Sequence, residues 1–181
     1  MKILFWAAAL AAMLFGALFV AGCGGGGDKP SVYGTARIHV DAERPRASIL
    51  DLDSYGQFYS VTTGVMERSS SGWQSKPWTI NLPGSNSYHV FGICAFNDRD
   101  NNGGYTSYIE LLGFPKTASG KYIFLAHMSD DSWRYIDEDG YTVASNAEDY
   151  SLYIYCIFTR DISAEKTAYI AEKIRELQLK Q

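Results

Sequence analysis

The sequence has little basic charge and few histidines. It contains 16 lysine and arginine residues against 20 aspartate and glutamate residues, with a net charge of −4. Nucleic-acid binding needs clustered lysine and arginine, so this composition argues against a DNA or RNA partner. The histidines, His39, His89 and His127, lack the spacings of metal ligands, and there is no G-x-S-x-G nucleophile motif. A triad of His127, Asp130 and a serine that folding brings together stays open as an alternative. The sequence otherwise contains few signatures of an enzyme.

Long helical stripes are also lacking between residues 32 and 162. Short period-2 segments, rich in aromatic residues and separated by turn residues, are typical of antiparallel β-structure. We expect a mainly β fold, a single antiparallel β-sandwich or small barrel, followed by one C-terminal helix. Strands are predicted at 32–40, 48–52, 57–66, 73–82, 88–96, 122–128, 133–136, 141–144 and 152–159.

Two strands and the C-terminal segment carry more specific signals. Pro77 cannot donate a ladder hydrogen bond, so 73–82 is predicted to be an edge strand or to contain a bulge. The strongly apolar segment 88–96 is predicted to be a central strand. A helix is predicted over 164–180, with Ser163 as N-cap. We expect this helix to cover the sheet, with binding to a partner as the alternative. Its predicted apolar face consists of Thr167, Ile170, Ala171, Ile174 and Leu177.

The N-terminal segment is apolar and ends at a cysteine. Lys2 precedes an uncharged stretch over residues 3–21, and Val20-Ala21-Gly22-Cys23 is followed by four glycines. This arrangement resembles the lipobox of bacterial lipoproteins. The resemblance implies cleavage before Cys23, a lipid on its thiol and a place in the cell envelope, anchored in the outer membrane where a cell has two. An uncleaved transmembrane helix is the alternative, because 19 apolar residues can span a bilayer.

The resemblance sets the expected domain organisation. Residues 1–22 are the signal peptide, and residues 23–31 are the lipidated cysteine with a glycine-rich tether, which behaves as a flexible coil. Residues 32–162 form the β-domain and residues 163–181 the helix packed on it. Outside the cytoplasm the remaining cysteines, Cys94 and Cys156, are a candidate disulfide, with two buried thiols as the alternative.

One loop has a spacing with a chemical mechanism. In Asn97-Asp98-Arg99-Asp100-Asn101-Asn102-Gly103-Gly104, oxygen-bearing side chains alternate before a glycine, similar to the D-x-D-x-N-G calcium loops of extracellular β-domains. The resemblance implies a weak structural calcium site formed by Asp98, Asp100, Asn102 and the carbonyl of Gly104. Position 12 of an EF-hand loop falls on Ile109, and Glu110 is one residue late. Further ligands are expected from Asp130, Asp131, Asp137 or Asp139.

Aromatic residues near predicted loops are the other candidate site. Flat rings stack on sugars or anchor protein interfaces, so a protein or glycan partner is expected beside the lipid membrane. Core packing is the competing explanation for the same residues. The sequence therefore favours a membrane-anchored binding or structural accessory module, with a small hydrolase or glycan-processing enzyme that uses the acidic loops as the alternative. The aromatic candidates are Trp73, Trp78, Tyr105 and Trp133, with Tyr108 and Tyr135 nearby.

Overall fold

The structure is a computed structural model that describes residues 29–39, 42–68, 71–85, 88–107, 109–155 and 164–180. Cys23, Cys156, Ser163 and Tyr108 lie outside these ranges, so lipidation, the disulfide and the N-cap stay predictions. Within these ranges, no helix combines the length and the apolar character that crossing a bilayer requires.

The described residues form ten strands and one helix in two sheets. A three-stranded sheet has the order β10-β1-β4, and a larger sheet has the order β3-β2-β5-β7-β8-β9 with β6 paired to β5. The elements are β1 (Ser31–His39), β2 (Pro45–Leu52), β3 (Phe58–Val65), β4 (Trp73–Asn81), β5 (His89–Asn97), β6 (Leu111–Gly113), β7 (Ile123–His127), β8 (Trp133–Asp137), β9 (Thr142–Ala144), β10 (Ser151–Tyr155) and α1 (Ala164–Leu179).

The predicted fold class is confirmed. The chain is mainly β, its two sheets are those of a sandwich, and they are not closed into a barrel. β4, which contains Pro77, is an edge strand of the small sheet, and β5 lies inside the large sheet. One pairing departs from the antiparallel pattern, because β10 lies parallel to β1.

The large sheet is the middle of three layers. A Cβ on Gly64 would collide with the backbone oxygen of Thr79 in β4, so this face lies close against the small sheet. On Gly92, a Cβ would contact Ile174 of α1 at 3.4 Å, so that residue faces the helix. Gly64 and Gly92 pair with residues 47 and 50 of β2, and positions three apart on a strand point to opposite faces. The helix and the small sheet therefore cover opposite faces.

The helix covers the large sheet with the face predicted from sequence. Thr167, Ile170, Ala171, Ile174 and Leu177 are all buried. Charged residues such as Glu165, Glu172 and Arg175 are exposed. Burial of the apolar stripe is the usual source of helix stability in proteins. The apolar face of α1 is thus occupied by its own domain.

Candidate metal centre

The loop with the calcium-like spacing is closed by a strand pair. Asp98 directly follows β5, and Glu110 directly precedes β6. These two strands are antiparallel, with a bulge between Ala95 and Phe96, and the Asn97 N–H donates to the Glu110 carbonyl over 3.1 Å. The pairing therefore brings both ends of the loop, and their carboxylates, to the same place.

Asp98 is the buried residue of the loop. Its side chain has no exposed surface, and Oδ2 accepts a 2.7 Å hydrogen bond from Nε of Arg46 in β2. Its carboxylate also accepts backbone N–H groups, Oδ1 from Asn102 at 3.1 Å and Oδ2 from Gly103 at 3.1 Å. Burial of a carboxylate is costly unless it is paired and hydrogen-bonded, and Arg46 and the loop backbone meet that condition.

Asp100 lies on the outer side of the same loop. Its Oδ2 accepts hydrogen bonds from the Thr106 hydroxyl at 2.8 Å and from Nδ2 of Asn102 at 3.0 Å. The hydrogen bond from Thr106 is the main cause that lowers the pKa of Asp100, since it favours the charged form. Asp100 is therefore an ionised carboxylate in a preorganised turn.

Glu110 completes the cluster from the far end of the loop. Oε1 accepts the Asp100 N–H at 3.1 Å, and Oε2 accepts the Thr106 N–H at 2.8 Å. Only 2% of Glu110 is exposed, whereas its neighbour Ile109 is 51% exposed. Burial raises the pKa of Glu110, and the charge of Asp100 acts in the same direction. A positive charge nearby would relieve both effects.

Asp98, Asp100 and Glu110 together could hold a metal ion. One carboxylate oxygen from each lies within 4.8 Å of the other two. Hard cations such as calcium prefer oxygen ligands, and each carboxylate retains acceptor capacity beyond its present hydrogen bonds. Arg46 is paired with Asp98, and this one ion pair leaves the charges of Asp100 and Glu110 unmatched by Arg46 when both are ionised. A divalent cation would balance them.

Asn102 and Gly104, the other two predicted ligands, are joined to each other by a hydrogen bond within the loop. The Asn102 side-chain oxygen accepts the Gly104 N–H at 2.7 Å, and its Nδ2 donates to the Thr106 hydroxyl at 2.9 Å. Asn102 therefore shapes the turn through both ends of its amide. The positive φ of Asn101 (57°) and Gly103 (81°) produces the tight curl around it.

The expectation that a later aspartate completes the site is wrong, because the cluster is completed by Glu110. Asp130 and Asp131 lie in the β7–β8 turn, which follows His127, and His127 pairs with His89 at the opposite end of β5. Asp130 is paired with Arg134 at 2.6 Å. Asp137 and Asp139 instead lie 3.6 and 2.5 Å from the Lys121 ammonium.

Sequence reasoning also missed Arg46, the counter-charge of Asp98. Arg46 stands opposite Phe96 in the β2–β5 register, which sequence spacing does not reveal. The one usable signal for Glu110 was its place just before the short apolar run of β6. An acid at that point is consistent with a loop closed by strand pairing rather than by an EF-hand helix.

Three of the four candidate aromatic residues lie in the core, which agrees with the competing explanation of core packing. Trp78, Tyr105 and Trp133 are buried, and Tyr135 beside them is also buried. Tyr105 packs edge-on against Phe96 with ring centroids 5.7 Å apart, so it fastens the loop to the core. Trp73 is different, because 38% of its surface is exposed.

Cys94 is buried in β5 and Cys156 lies outside the described residues, so their pairing stays a prediction. No known family, curated protein or solved structure matches the chain. Function is therefore inferred from the geometry of the chain itself.

Proposed function

We propose that the protein is a lipid-anchored binding module of the bacterial cell envelope, stiffened by calcium in the loop between β5 and β6. Cys23 supplies the anchor, and Asp98, Asp100 and Glu110 supply the calcium ligands. The observation that carries the binding role is the outer surface of the three-stranded sheet. We call it the aromatic face, and it comprises Tyr33, Arg37, Trp73, Tyr153 and Tyr155.

Strand register supports a common surface for these residues. Arg37 in β1 stands opposite Tyr155 in β10, and its guanidinium carbon lies 5.5 Å from the centre of the Tyr155 ring. On the other side, it lies 5.8 Å from the centre of the Trp73 ring. Cation–π contacts of this kind orient the rings before any partner arrives. Preorganised rings lose little side-chain entropy on binding.

The chemistry of the aromatic face favours a glycan over a protein. Its rings are half-exposed, and hydroxyl-bearing side chains stand between them: Thr35, Ser75, Thr79 and Ser151. Sugars present flat C–H surfaces that stack on rings and hydroxyls that exchange hydrogen bonds. A stable protein interface usually has a more apolar centre. We therefore assign the aromatic face to a glycan of the cell envelope.

Binding of the full chain, purified in mild detergent, to an array of bacterial envelope glycans tests this assignment. We expect binding that falls at least tenfold in Tyr153→Ala/Tyr155→Ala, about 1.4 kcal/mol or more. Tyr55→Ala is the matched control, because Tyr55 is 88% exposed in the turn between β2 and β3. The glycan assignment fails if no glycan binds, if the double variant binds normally, or if a protein occupies the face instead.

The lipid anchor has its own test. Palmitate labelling of cells that express the chain should mark the wild type and be absent from Cys23→Ala. Labelling that persists in Cys23→Ala would contradict the anchor without touching the glycan assignment.

A hydrolase that uses the acidic loops is less well supported. The carboxylates of the β5–β6 loop bind loop backbone groups and Arg46. His89 and His127 lie at the other end of β5 from Asp98. General acid–base chemistry of these carboxylates with a histidine is therefore not favoured at this loop.

A further inference from the structure

A serine, a histidine and an aspartate form a hydrogen-bonded chain at the start of β5. Ser85 in the β4–β5 loop lies 2.7 Å from Nδ1 of His127, with its Oγ as the contact atom. His127 ends β7, and its Nε2 lies 2.8 Å from Oδ1 of Asp131 in the following turn. Two segments meet here, the β4–β5 loop and the end of β7 with its following turn, and they bring together the three groups found in sites for nucleophilic catalysis.

The partners of His127 define the direction of proton transfer. The Asp131 carboxylate can only accept, so Nε2 of His127 carries the proton that it donates to Asp131. In the neutral ring Nδ1 is then a bare acceptor aimed at the Ser85 hydroxyl. The ring is also stacked on the indole of Trp133, with centroids 4.4 Å apart and planes at 17°. Orientation by a carboxylate and packing by an aromatic ring are what a general base requires.

Ser85 also borders a cavity of about 540 Å³ that is widely open to solvent. Such a volume suits a small organic molecule. The wall contains apolar Val61 and Phe91, and it contains His89 hydrogen-bonded to Asp51 over 2.5 Å. Among the described residues, Ser85 lines the cavity and His127 does not, and Nδ1 of His127 lies next to the cavity through its 2.7 Å contact with the Ser85 hydroxyl.

One bulky residue near this group, Tyr88, has an unusual backbone conformation. The described residues include three non-glycine residues with positive φ, and two of them, Tyr88 at 43° and Asp131 at 63°, belong to the turns that carry Ser85 and the carboxylate. A positive φ is unusual for a bulky residue such as Tyr88. Strained backbone persists where surrounding structure enforces it, and it clusters at functional sites.

We propose that Ser85, His127 and Asp131 form a nucleophilic triad that hydrolyses small carboxylic esters bound in this cavity. Nδ1 of His127 takes the Ser85 proton while Oγ forms a bond to the ester carbonyl carbon. The C–O bond to the leaving group then breaks, and His127 returns the proton to the departing alcohol. Water attacks the acyl-serine with His127 again as base. The acid is released and the Ser85 hydroxyl is restored.

The cavity wall limits the substrate. Val61 and Phe91 suit a short apolar acyl group. His89, held by Asp51, forms the polar part of the described wall beside Ser85. The proposed substrate is thus an ester with a short acyl chain.

A fluorophosphonate probe and p-nitrophenyl butyrate, applied to the full chain in mild detergent, test the triad. We expect one phosphonylated residue, Ser85, and turnover that falls to background in Ser85→Ala. His127→Gln should slow both reactions about 100-fold, in the range for loss of a general base. Asp131→Asn should slow them about tenfold, because the side chain of Asp131 is 94% exposed and water screens its charge.

Ser145→Ala is the matched control, since Ser145 is exposed and outside the group. Its rates should equal those of the wild type. The exposed Asp131 keeps the test informative even if Ser85→Ala or His127→Gln fails to fold. The proposal is overturned if Ser85 is not phosphonylated, or if Asp131→Asn reacts within twofold of the wild type at unchanged melting temperature.

Discussion

The two ends of strand β5 carry polar clusters of opposite kinds. After Asn97, three carboxylates converge, and one of them, Asp98, is paired with Arg46. At the other end of β5, near His89, two histidines are each hydrogen-bonded to an aspartate. His89 is bonded to Asp51, and His127 is bonded to Asp131. One end is a cluster of carboxylates, and at the other end each of these two carboxylates is hydrogen-bonded to an imidazole.

This difference separates two chemical roles on one scaffold. The mutual repulsion of clustered carboxylates is relieved by binding a cation. A hydroxyl, an imidazole and a carboxylate linked by hydrogen bonds can instead pass a proton from the hydroxyl to the imidazole. The same strand therefore positions a proposed ion site at one end and a proposed reactive serine at the other.

Removal of Arg46 should have the largest effect on stability. Arg46→Met leaves the Asp98 carboxylate buried without its counter-charge, and such a change costs about 3 kcal/mol or more. Urea unfolding in a calcium-free buffer measures it. Arg44→Met is the control, because the Arg44 side chain is exposed and its hydrogen bonds to Asn97 and Asp98 are made by its backbone. Equal stability of the two variants would show that Asp98 does not depend on Arg46.

A matched pair of aspartate variants compares the two ends directly. Asp98→Asn weakens hydrogen bonds to a fully buried charged group, at a cost of about 2 kcal/mol. Asp131→Asn changes a side chain that is 94% exposed, and its effect should stay within about 0.5 kcal/mol. Chemical unfolding measures the loss of stability in each variant. Similar losses would remove the distinction between a buried and an exposed carboxylate.

The smallest expected effect is the coupling between the two ends. His127→Gln should leave the stabilisation by calcium unchanged within about 0.5 kcal/mol, because distant sites without shared partners act additively. Thermal melts of wild type and variant, each with and without calcium, give this difference. A larger coupling would mean that β5 transmits strain between its ends.

Local periodicity was enough to predict nine of the ten described strands and α1, and it missed β6. Along β1, alternation puts Val32, Gly34, Ala36 and Ile38 on one face, and all four are buried. Glu110 escaped prediction because its approach to Asp98 depends on the pairing of a three-residue strand with β5, a contact that leaves no periodic signal. The aromatic residues were ambiguous for another reason, since a ring serves equally in a core or on a surface.

The partners of His127 show the same limit. The sequence suggested His127 with Asp130 and some serine, and the structure pairs it with the adjacent Asp131 and with Ser85. Ser85 precedes β5 in a loop, 42 positions away along the chain. The adjacency of β5 and β7 brings it there. The sequence therefore predicted the residue types around His127. It did not predict which serine and which aspartate contact it, because that depends on how distant strands pair.

The central claim is that Glu110 closes a calcium site with Asp98 and Asp100. Thermal unfolding of wild type and Glu110→Gln, with and without about 10 mM calcium, tests it most directly, with magnesium and Glu148→Gln as controls. A site of about 0.5 mM affinity should stabilise the wild type by about 2 kcal/mol, or about 5 °C in Tm. We predict that Glu110→Gln loses most of this shift and Glu148→Gln keeps it. No calcium-dependent shift in the wild type, or an undiminished shift in Glu110→Gln, would contradict the claim.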